Sequence, residues 1–305
     1  MTSPPTGRFA PSPTGPLHFG SVVTALASYL DARSRGGRWL LRIDDLDPPR
    51  EAPGAADGIL ATLVALGLEW DGEVTWQSRR GEAYRDALSR LADTGVSFPC
   101  ACTRATVGKG PYPGTCRNGL PPGRRARAVR VRVGATCVGF EDRVQGNVTR
   151  TLAEQGGDFI VRRADGLIAY HLAVVVDDAA AGITDVVRGV DLLDTTPQQI
   201  HLQRQLGLST PTYAHLGVVL GPDGHKLSKQ TGARPVLPAA AALAAWAALD
   251  FLGLSPPVAA RGAPAAELLQ WALPRWAGHA LPRAAAVYDD GGVQSAAANI
   301  ARSAS

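Results

Sequence analysis

The chain has 305 residues, a formal net charge of +4 and a hydrophobic fraction of 45%. This size and composition predict a globular protein with a sizeable core, built as one large domain that can carry an insert and an appendage. Four cysteines in a chain of this length do not make a small disulfide scaffold. The N-terminus has no basic region followed by an apolar run, as a signal peptide would, and no uncharged apolar run reaches the roughly 18 residues of a membrane span. We therefore expect a cytoplasmic monomer without a membrane partner. The small positive excess permits a polyanionic partner without requiring one.

The first third of the chain predicts the beginning of a nucleotide-binding α/β fold. A strand, a loop rich in proline and small residues, a helix and a second strand follow one another, which is the order of a βαβ unit. In the helix, Val22, Leu26 and Leu30 recur at a spacing of about one turn and predict a buried face. The predicted elements are strands at residues 7–10, 39–43 and 74–77, and helices at residues 19–34, 58–66 and 79–92.

The remainder of the chain alternates strands and helices after one irregular segment. Residues 99–127 are rich in Cys, Pro, Gly and Arg, and we expect them to fold around something other than an apolar core. The Ala-Asp-Gly sequence at residues 164–166 predicts a hairpin turn. The other predicted elements are strands at residues 128–133, 159–163, 167–170, 183–188 and 213–220, helices at residues 171–176 and 197–206, and an Ala-rich amphipathic helix within residues 238–254.

Two separated motifs point to phosphate binding. His18 and Gly20 lie where the first strand passes into the first helix, and a helix N-terminus attracts phosphates through its N–H groups and its dipole. Two of the three lysines of the chain, Lys226 and Lys229, flank a serine in a Gly-containing loop near the last predicted strand. Such a pair can stabilise the charge on departing pyrophosphate. The alternatives are a helix-capping role for His18 and a solvated basic loop for the lysines.

The two motifs, in this order, resemble the signature sequences of class I aminoacyl-tRNA synthetases. The intervening sequence is similar to the catalytic core of glutamyl-tRNA synthetases, in the right order, from about residue 8 to residue 232. The most similar subgroup is a short one that lacks an anticodon-binding domain and transfers glutamate to the queuosine base of tRNA(Asp). The segments that carry the resemblance are GRFAPSPTG (7–15), LRIDDLDPPR (41–50), YHLA (170–173), RGVDLL (188–193), TPQQ (196–199) and KLSKQ (226–230).

The resemblance implies an adenylate-forming ligase. L-glutamate and ATP, with Mg²⁺ as its expected companion, would give glutamyl-adenylate and pyrophosphate without tRNA, and the glutamyl group would then pass to queuosine in tRNA(Asp). The implied catalytic residues are His18, Lys226 and Lys229, and His18, Gly20 and Lys229 would contact ATP. The implied glutamate-binding residues are Arg8, Phe9, Ala10, Pro11, Ser12, Asp44, Tyr170 and Arg188.

Simpler structural roles stand beside two of these assignments. The resemblance implies that the Arg188 guanidinium pairs with a carboxylate, a geometry in which Arg can bind bidentately. Without the resemblance, Arg188 would be expected to form a surface ion pair with Asp185 or Asp191. Tyr170, implied to donate its hydroxyl, could equally be a core aromatic residue with a satisfied hydroxyl.

The chain departs from the family pattern at two positions. Ser21 stands where the His-x-Gly-His motif has its second histidine, which agrees with the short subgroup. Asp44 stands where the family usually has Glu, a carboxylate expected to hold the amino group of the substrate. Asp is shorter by one methylene, and Asp45 could replace it only if the loop shifted, because neighbouring strand residues point to opposite faces.

A cysteine cluster predicts a metal site in the insert. Cys100, Cys102 and Cys116 are close in sequence, and thiolates can hold Zn²⁺ and organise a segment that has little core. The subgroup resemblance implies that Tyr112 supplies the fourth ligand of one structural zinc. The alternative is three reduced, inert cysteines. Cys137 lies in a predicted strand, and we expect it to be buried.

The densest positive run of the chain follows the cysteine cluster. It is compatible with a solvated face or with a contact that tracks RNA phosphates, and the second role would make binding sensitive to salt. The run consists of Arg124, Arg125, Arg127, Arg130 and Arg132.

These expectations define a Rossmann-like α/β catalytic domain of the class I synthetase type with additions. Its halves are residues 1–98 and 128–236, and a small zinc-bearing insert, residues 99–127, lies between them. A short helical C-terminal part at residues 237–288 and a disordered tail at residues 289–305 complete the chain. Two rivals remain: a truncated glutamyl-tRNA synthetase that charges tRNA(Glu), and a non-catalytic RNA-binding or regulatory module. About 75 residues follow the lysine loop, too few for a helical anticodon-binding domain.

Overall fold

The computed structural model describes residues 3–220, 234–277, 279 and 281–283, together with one further strand. The helices are α1 (Phe19–Arg33), α2 (Ala55–Ala65), α3 (Gly81–Asp93), α4 (Arg104–Val107), α5 (Tyr170–Ala180), α6 (Thr196–Gln205), α7 (Ala241–Phe251) and α8 (Ala265–Trp276). The strands are β1 (Thr6–Phe9), β2 (Arg38–Ile43), β3 (Thr75–Trp76), β4 (Ser97–Cys100), β5 (Ala128–Val131), β6 (Cys137–Asp142), β7 (Gly146–Thr151), β8 (Phe159–Arg162), β9 (Asp185–Gly189), β10 (Thr212–Leu216), β11 (Val219–Leu220) and β12 (Ala286–Val287).

Parallel strands form the framework of the catalytic region. β1 pairs in parallel with β2, and β2 with β3. β10 pairs in parallel with both β9 and β6, and β7 adds to β6 as an antiparallel strand. Thr6 and Thr184 join the two sheets: the Thr6 amide donates to Oγ1 of Thr184 at 2.8 Å, and the Thr184 amide donates to the Thr6 carbonyl at 3.0 Å. The predicted parallel α/β architecture is therefore confirmed.

Helix α1 occupies the centre of the larger apolar core. Its Val22, Leu26 and Leu30 are fully buried at the predicted helical spacing. Helices α7 and α8 pack against α1 and belong to the same apolar cluster. In α7, Ala244 and Ala248 are fully buried. No helix within the described ranges is long and apolar enough to cross a membrane.

The insert extends from a separate, antiparallel sheet of β4, β5 and β8. Among the described elements, α4 is the one regular element between β4 and β5. The segment packs around a small cluster that includes Phe98 and Tyr112, whose rings lie 6.2 Å apart, together with Cys100, which ends β4, and Cys116. This arrangement agrees with an insert that has little apolar core of its own.

Several predicted elements have different bounds in the structure. The predicted strand 213–220 is divided into β10 and β11, and Gly217 between them bonds to the Pro282 carbonyl instead of continuing the ladder. The hairpin at residues 164–166 is present, but its second arm makes a single bridge, from Ile168 to Arg162. Tyr170 begins α5 and is not a strand residue.

Two predictions about individual side chains were wrong. Cys137 is exposed, because it begins β6 on the solvent face while Val138 beside it is fully buried. Arg130 does not belong to a solvated basic face. It is buried, its guanidinium lies 4.0 Å from the centre of the Tyr112 ring, and its Nη1 donates to the Asp158 carbonyl at 2.6 Å. Arg124, Arg125 and Arg127 are exposed, as the basic-surface interpretation requires.

Candidate active site

A cavity of about 520 Å³ lies where strands β1, β2, β9 and β10 end. Ligands bind at this edge in open α/β sheets, because the loops that follow the strands diverge there. The first turns of α1 and α5 complete its described walls. The lining includes Arg8, Phe9, Ala10, Pro11, Ser12, Thr14, Leu17, His18, Gly20, Ser21, Thr24, Arg42, Asp44, Tyr170, Arg188, Gly189, Asp191 and Gly217.

His18 begins helix α1 and lines the cavity. It is the N-cap residue, and its Nδ1 accepts a hydrogen bond from the Ser21 amide at 3.3 Å. A backbone bridge to Pro235 holds the loop before the helix. Gly20, in the first turn, lies on the same wall. His18 therefore caps the helix and also stands where the positive end of the helix dipole would attract an anion.

Arg188 is a buried cation at the end of β9. Its Nε donates to Nε2 of His215 at 3.0 Å, and its Nη2 donates to Oγ1 of Thr196 at 2.7 Å and to Oε1 of Gln199 at 2.9 Å. Its Nη1 is buried and has no hydrogen-bond partner among the described residues. The expected surface ion pair is absent: within the described part of the chain, Arg188 forms no salt bridge with Asp185 or Asp191.

Asp44 follows β2 and enters the cavity as part of a buried charge network. Its Oδ1 accepts from Nε of Arg42 at 2.6 Å. Nη1 of Arg42 also donates to Asp178 at 2.6 Å, and Nε of Arg8 reaches the same Asp178 at 3.3 Å. Burial raises the pKa of Asp44 to about 6, although the guanidinium of Arg42 opposes that shift. Arg8, Arg42 and Asp44 therefore lie on one wall, joined through a shared acidic residue of α5.

Asp177, the neighbour of Asp178 on α5, anchors this wall from behind. It accepts from Gln77 at 2.8 Å, from Arg80 at 2.5 Å and from the Tyr84 hydroxyl at 2.8 Å. Burial and the nearby Asp177 carboxylate raise the pKa of Tyr84, which stays a neutral donor. The sequence patterns did not single out Arg42, Asp177 or Asp178 as site residues. They could have been found from charged residues in otherwise apolar segments, because Arg42 lies within the apolar strand β2 and Asp177 and Asp178 follow an apolar run in α5.

The remaining predicted glutamate-binding residues also line the cavity, with different exposures. Tyr170 is 39% exposed at the first turn of α5, so it is not a core aromatic residue. Ser12 is exposed. The Phe9 ring is buried and stacks on Trp39 at 6.4 Å, so it supports the loop from the core. Ala10 and Pro11 follow it on the cavity wall, where the Pro11 carbonyl accepts from the amide of Asp44 at 2.9 Å.

Lys226 and Lys229 lie outside the described residues, as does the whole loop from residue 221 to residue 233. Its flanks are close to the cavity: Gly217, Val218 and Val219 are part of the lining on one side, and Pro235 bridges to His18 on the other.

The three cysteines of the insert converge on one point. The Sγ atoms of Cys100, Cys102 and Cys116 all lie within 4.8 Å of one another, a spacing that could hold a metal ion. The Tyr112 hydroxyl lies 3.6 Å from the first Sγ and 3.8 Å from the second, and it accepts from the Cys116 amide at 2.9 Å. The fold therefore brings together the three cysteines that the sequence spacing singled out and the tyrosine that the resemblance added.

The fold and the cavity are those of a class I tRNA synthetase catalytic domain. The family described as tRNA synthetases class I (E and Q), catalytic domain, matches residues 6–109 and 121–246. A glutamate tRNA ligase from Elizabethkingia meningosepticum, solved in complex with its amino acid, shares the fold with a TM-score of 0.77. That similarity covers 95% of this chain and 68% of that chain at 24% identity.

Curated relatives narrow the family further. The glutamyl-Q tRNA(Asp) synthetase of Aromatoleum aromaticum is 56% identical over 92% of this chain and 91% of its own length. Those of Dechloromonas aromatica and Geobacter sulfurreducens are 56% and 52% identical, and each covers 93% of this chain. The chain belongs to the glutamyl-Q tRNA(Asp) synthetase family. Membership in the class I synthetases makes it a ligase that uses ATP.

Proposed function

We propose that this enzyme activates L-glutamate with ATP, in the absence of tRNA, and transfers the glutamyl group to the queuosine base of tRNA(Asp). The observation that carries the proposal is the pairing of opposite charges in one cavity. Arg188, whose buried Nη1 has no hydrogen-bond partner within the described part of the chain, and Asp44 line the same 520 Å³ space. An amino acid carries a carboxylate that can pair with Arg188 and an ammonium that can pair with Asp44. The names of the relatives supply the acceptor.

The glutamate site follows from these charges. A carboxylate of the substrate would satisfy the Nη1 donor of Arg188, because a buried donor without a partner costs free energy. Arg8 carries a second guanidinium that lines the same cavity and suits the other carboxylate of glutamate. Asp44 would accept from the substrate ammonium and Tyr170 would donate its hydroxyl. Ser12, with the backbone of residues 9–11, would shape the floor.

The ATP site uses the start of helix α1. Phosphate oxygens would lie near His18 and the N–H groups around Gly20, where the helix dipole is positive. By resemblance, Lys226 and Lys229 bind the phosphates from the loop outside the described residues. Mg²⁺ would accompany ATP, and we assign it no protein ligand.

The reaction has two steps. A carboxylate oxygen of glutamate attacks the α-phosphorus of ATP, the bond to the β-phosphate breaks, and pyrophosphate leaves. A hydroxyl of the queuosine cyclopentenediol then attacks the activated carbonyl, loses its proton, and AMP leaves. Neither step requires a covalent bond to the enzyme. Catalysis is therefore positioning of the reactants and stabilisation of the charge that develops on the phosphates.

One structural zinc in the insert is part of the proposal. Three thiols within 4.8 Å of one another and a nearby phenol supply four donors, the number that structural zinc requires. Cys100, Cys102, Tyr112 and Cys116 would hold the ion. Arg130, stacked on the Tyr112 ring and 3.4 Å from the Cys100 Sγ, would offset part of the charge of the thiolates. That the enzyme acts as a monomer stays a prediction.

ATP–pyrophosphate exchange, measured with each amino acid and without RNA, tests the first step. Among the amino acids, we expect L-glutamate to be the only one that supports exchange, and we expect no exchange when the amino acid is omitted. Exchange that requires tRNA would contradict tRNA-independent activation, and no exchange under any condition would favour a non-catalytic RNA-binding module. A truncated synthetase for tRNA(Glu) is not favoured, since relatives at 52–56% identity bear the glutamyl-Q tRNA(Asp) synthetase name.

A further inference from the structure

Three buried polar residues lie in a row across three neighbouring strands behind the cavity. Arg188 of β9 is the register partner of His215 of β10, and Asp142 ends β6, the next strand. Nδ1 of His215 lies 2.6 Å from Oδ2 of Asp142, and both side chains are fully buried. On its other side, Nε2 of His215 lies 3.0 Å from Nε of Arg188. Asp142 and His215 do not line the cavity, whereas Arg188 does.

The hydrogen bonds assign one tautomer to His215. The guanidinium Nε of Arg188 can only donate, so Nε2 of His215 has to accept and carries no proton. Nδ1 then carries the proton and donates it to Asp142. Burial lowers the pKa of His215, although Asp142 opposes that shift, so the ring is neutral at neutral pH. Thr196 completes the arrangement: its Oγ1 accepts from Nη2 of Arg188 at 2.7 Å and also lies 3.0 Å from Nε2 of His215, so its hydroxyl can donate to the same unprotonated nitrogen.

Asp142 is itself held in one orientation. Its Oδ1 accepts from the backbone amides of Val144 at 3.0 Å, Gln145 at 2.8 Å and His215 at 3.1 Å. These three donors fix which oxygen faces the loop and leave Oδ2 for the imidazole. Although burial opposes it, the hydrogen bonds from His215 and these amides hold the pKa of Asp142 below its usual range. The carboxylate therefore remains an acceptor.

From this geometry we infer that Asp142 and His215 are positioning residues for substrate recognition, which fix the Arg188 guanidinium so that it can receive a substrate carboxylate. Asp142 selects the tautomer of His215, and the lone pair of Nε2 then holds Nε of Arg188. With Nε and Nη2 both engaged inside the protein, the plane of the guanidinium is fixed and Nη1 is left for the ligand. The inference rests on the proposed binding of a glutamate carboxylate by Arg188.

Asp142→Asn tests the tautomer directly. Because three backbone amides retain an oxygen at Oδ1, the new amide nitrogen has to replace Oδ2. It would donate to Nδ1 of His215 and force the proton to Nε2, where it opposes the Nε–H of Arg188. We expect the KM for glutamate in ATP–pyrophosphate exchange to rise about 10- to 100-fold, the range for losing an organised contact to a charged group. The KM for ATP should change less than twofold.

Two substitutions of His215 separate positioning from mere structural support. His215→Gln can place an oxygen acceptor near the position of Nε2, which keeps the contact to Arg188 and loses the one to Asp142. His215→Asn can place an N–H near the position of Nδ1, which does the opposite. The inference predicts that the Gln variant binds glutamate better than the Asn variant. A residue needed only to satisfy Asp142 would give the reverse order.

A matched control comes from another buried histidine. His201 contacts the Arg132 carbonyl through Nε2 at 2.9 Å and does not line the cavity. His201→Asn should lower the melting temperature without changing the ratio of the KM for glutamate to the KM for ATP.

If Arg188→Lys raises the KM for glutamate while Asp142→Asn and His215→Asn leave it unchanged, the positioning inference fails and the proposed function stands. If Arg188→Lys leaves that KM unchanged, the proposed carboxylate site itself is wrong.

Discussion

Nε of Arg42 lies 2.6 Å from Oδ1 of Asp44, so the carboxylate that we assign to the substrate ammonium is already paired with a buried guanidinium. The same Arg42 is shared with Asp178 through Nη1, which fixes it from the side of α5. Asp44 therefore enters the cavity on a rigid support, and its shorter side chain is oriented before any ligand binds. Preorganisation of this kind offsets part of the cost of binding.

Substitutions at position 44 test the role of this carboxylate. Asp44→Ala should raise the KM for glutamate by about 10- to 100-fold, because the substrate ammonium would lose its charged partner. Asp44→Glu should retain or improve glutamate affinity, since the longer side chain restores the reach usual in the family. The measurement is ATP–pyrophosphate exchange as a function of glutamate concentration.

The neighbouring aspartate provides the control for that experiment. Asp45 accepts from the Ser78 amide at 2.8 Å and from the Ser78 hydroxyl at 2.6 Å, away from the cavity lining. Asp45→Ala should leave the KM for glutamate within about twofold of the parental value, well short of a lost charged contact. An Asp44→Ala variant with parental affinity, together with a defective Asp45→Ala variant, would move the role to Asp45.

The raised pKa of Asp44 predicts a pH dependence of glutamate binding. With a pKa of about 6, the carboxyl group is ionised above that pH and neutral below it, and only the ionised form pairs with an ammonium. The KM for glutamate should therefore rise as the pH falls, by about tenfold for each pH unit well below the pKa. In Asp44→Asn the KM should be high throughout, without that rise. An identical pH profile in the two proteins, at saturating ATP, would assign the titration to another group.

Metal analysis tests the zinc site. We expect about one zinc ion per purified chain, the stoichiometry of a single structural site. Cys102→Ser should lower the zinc content and make the insert more sensitive to proteolysis, because binding of the metal contributes to its folding. Cys137→Ser, at an exposed thiol on β6, is the matched control and should change neither quantity. A zinc content near zero that persists after growth with added zinc would reject the site.

Sequence patterns predicted a structural feature correctly where the pattern lies within one short segment of the chain. Helix α1 is an example, because Val22, Leu26 and Leu30 mark its buried face without reference to the rest of the chain. The cysteine cluster is another, because its members are adjacent in the sequence. Strand β7 was not predicted, and helix α8 was predicted only as part of a helical C-terminal segment, although its buried Leu268, Ala272 and Trp276 recur at helical spacing. The exposure of Cys137 was also missed, because the buried face of β6 is set by its partners in the sheet.

The parts of the site that could not be predicted depend on contacts between distant residues. Asp142 and His215 are 73 residues apart, and Arg42 and Asp178 are 136 residues apart. The first pair meets because β6 and β10 are neighbours in one sheet, and the second because α5 packs against β2. Local patterns encode neither arrangement. The candidate residues that lie on the cavity wall, such as Arg188 and Tyr170, came from resemblance to the family and not from local physical chemistry.

Lys229 should act mainly on the rate of adenylate formation. Its ammonium would stabilise the charge on the departing pyrophosphate, which is greatest in the transition state. Lys229→Ala should therefore lower kcat by roughly 10²-fold and raise the KM for ATP far less. Lys109→Ala, at the lysine of the insert, is the control and should leave kcat unchanged. Exchange at the parental rate in Lys229→Ala would show that this lysine is not catalytic.

Transfer of labelled glutamate to purified tRNAs tests the central claim most directly. The substrates are tRNA(Asp) with queuosine, tRNA(Asp) without it, and tRNA(Glu), each followed by periodate treatment to locate the bond. Our account predicts label on queuosine-containing tRNA(Asp) alone, with the terminal ribose diol still open to periodate because the glutamyl group is on the base. Label on tRNA(Glu), or on tRNA(Asp) that lacks queuosine, would contradict the account and identify a synthetase that charges the 3′ end.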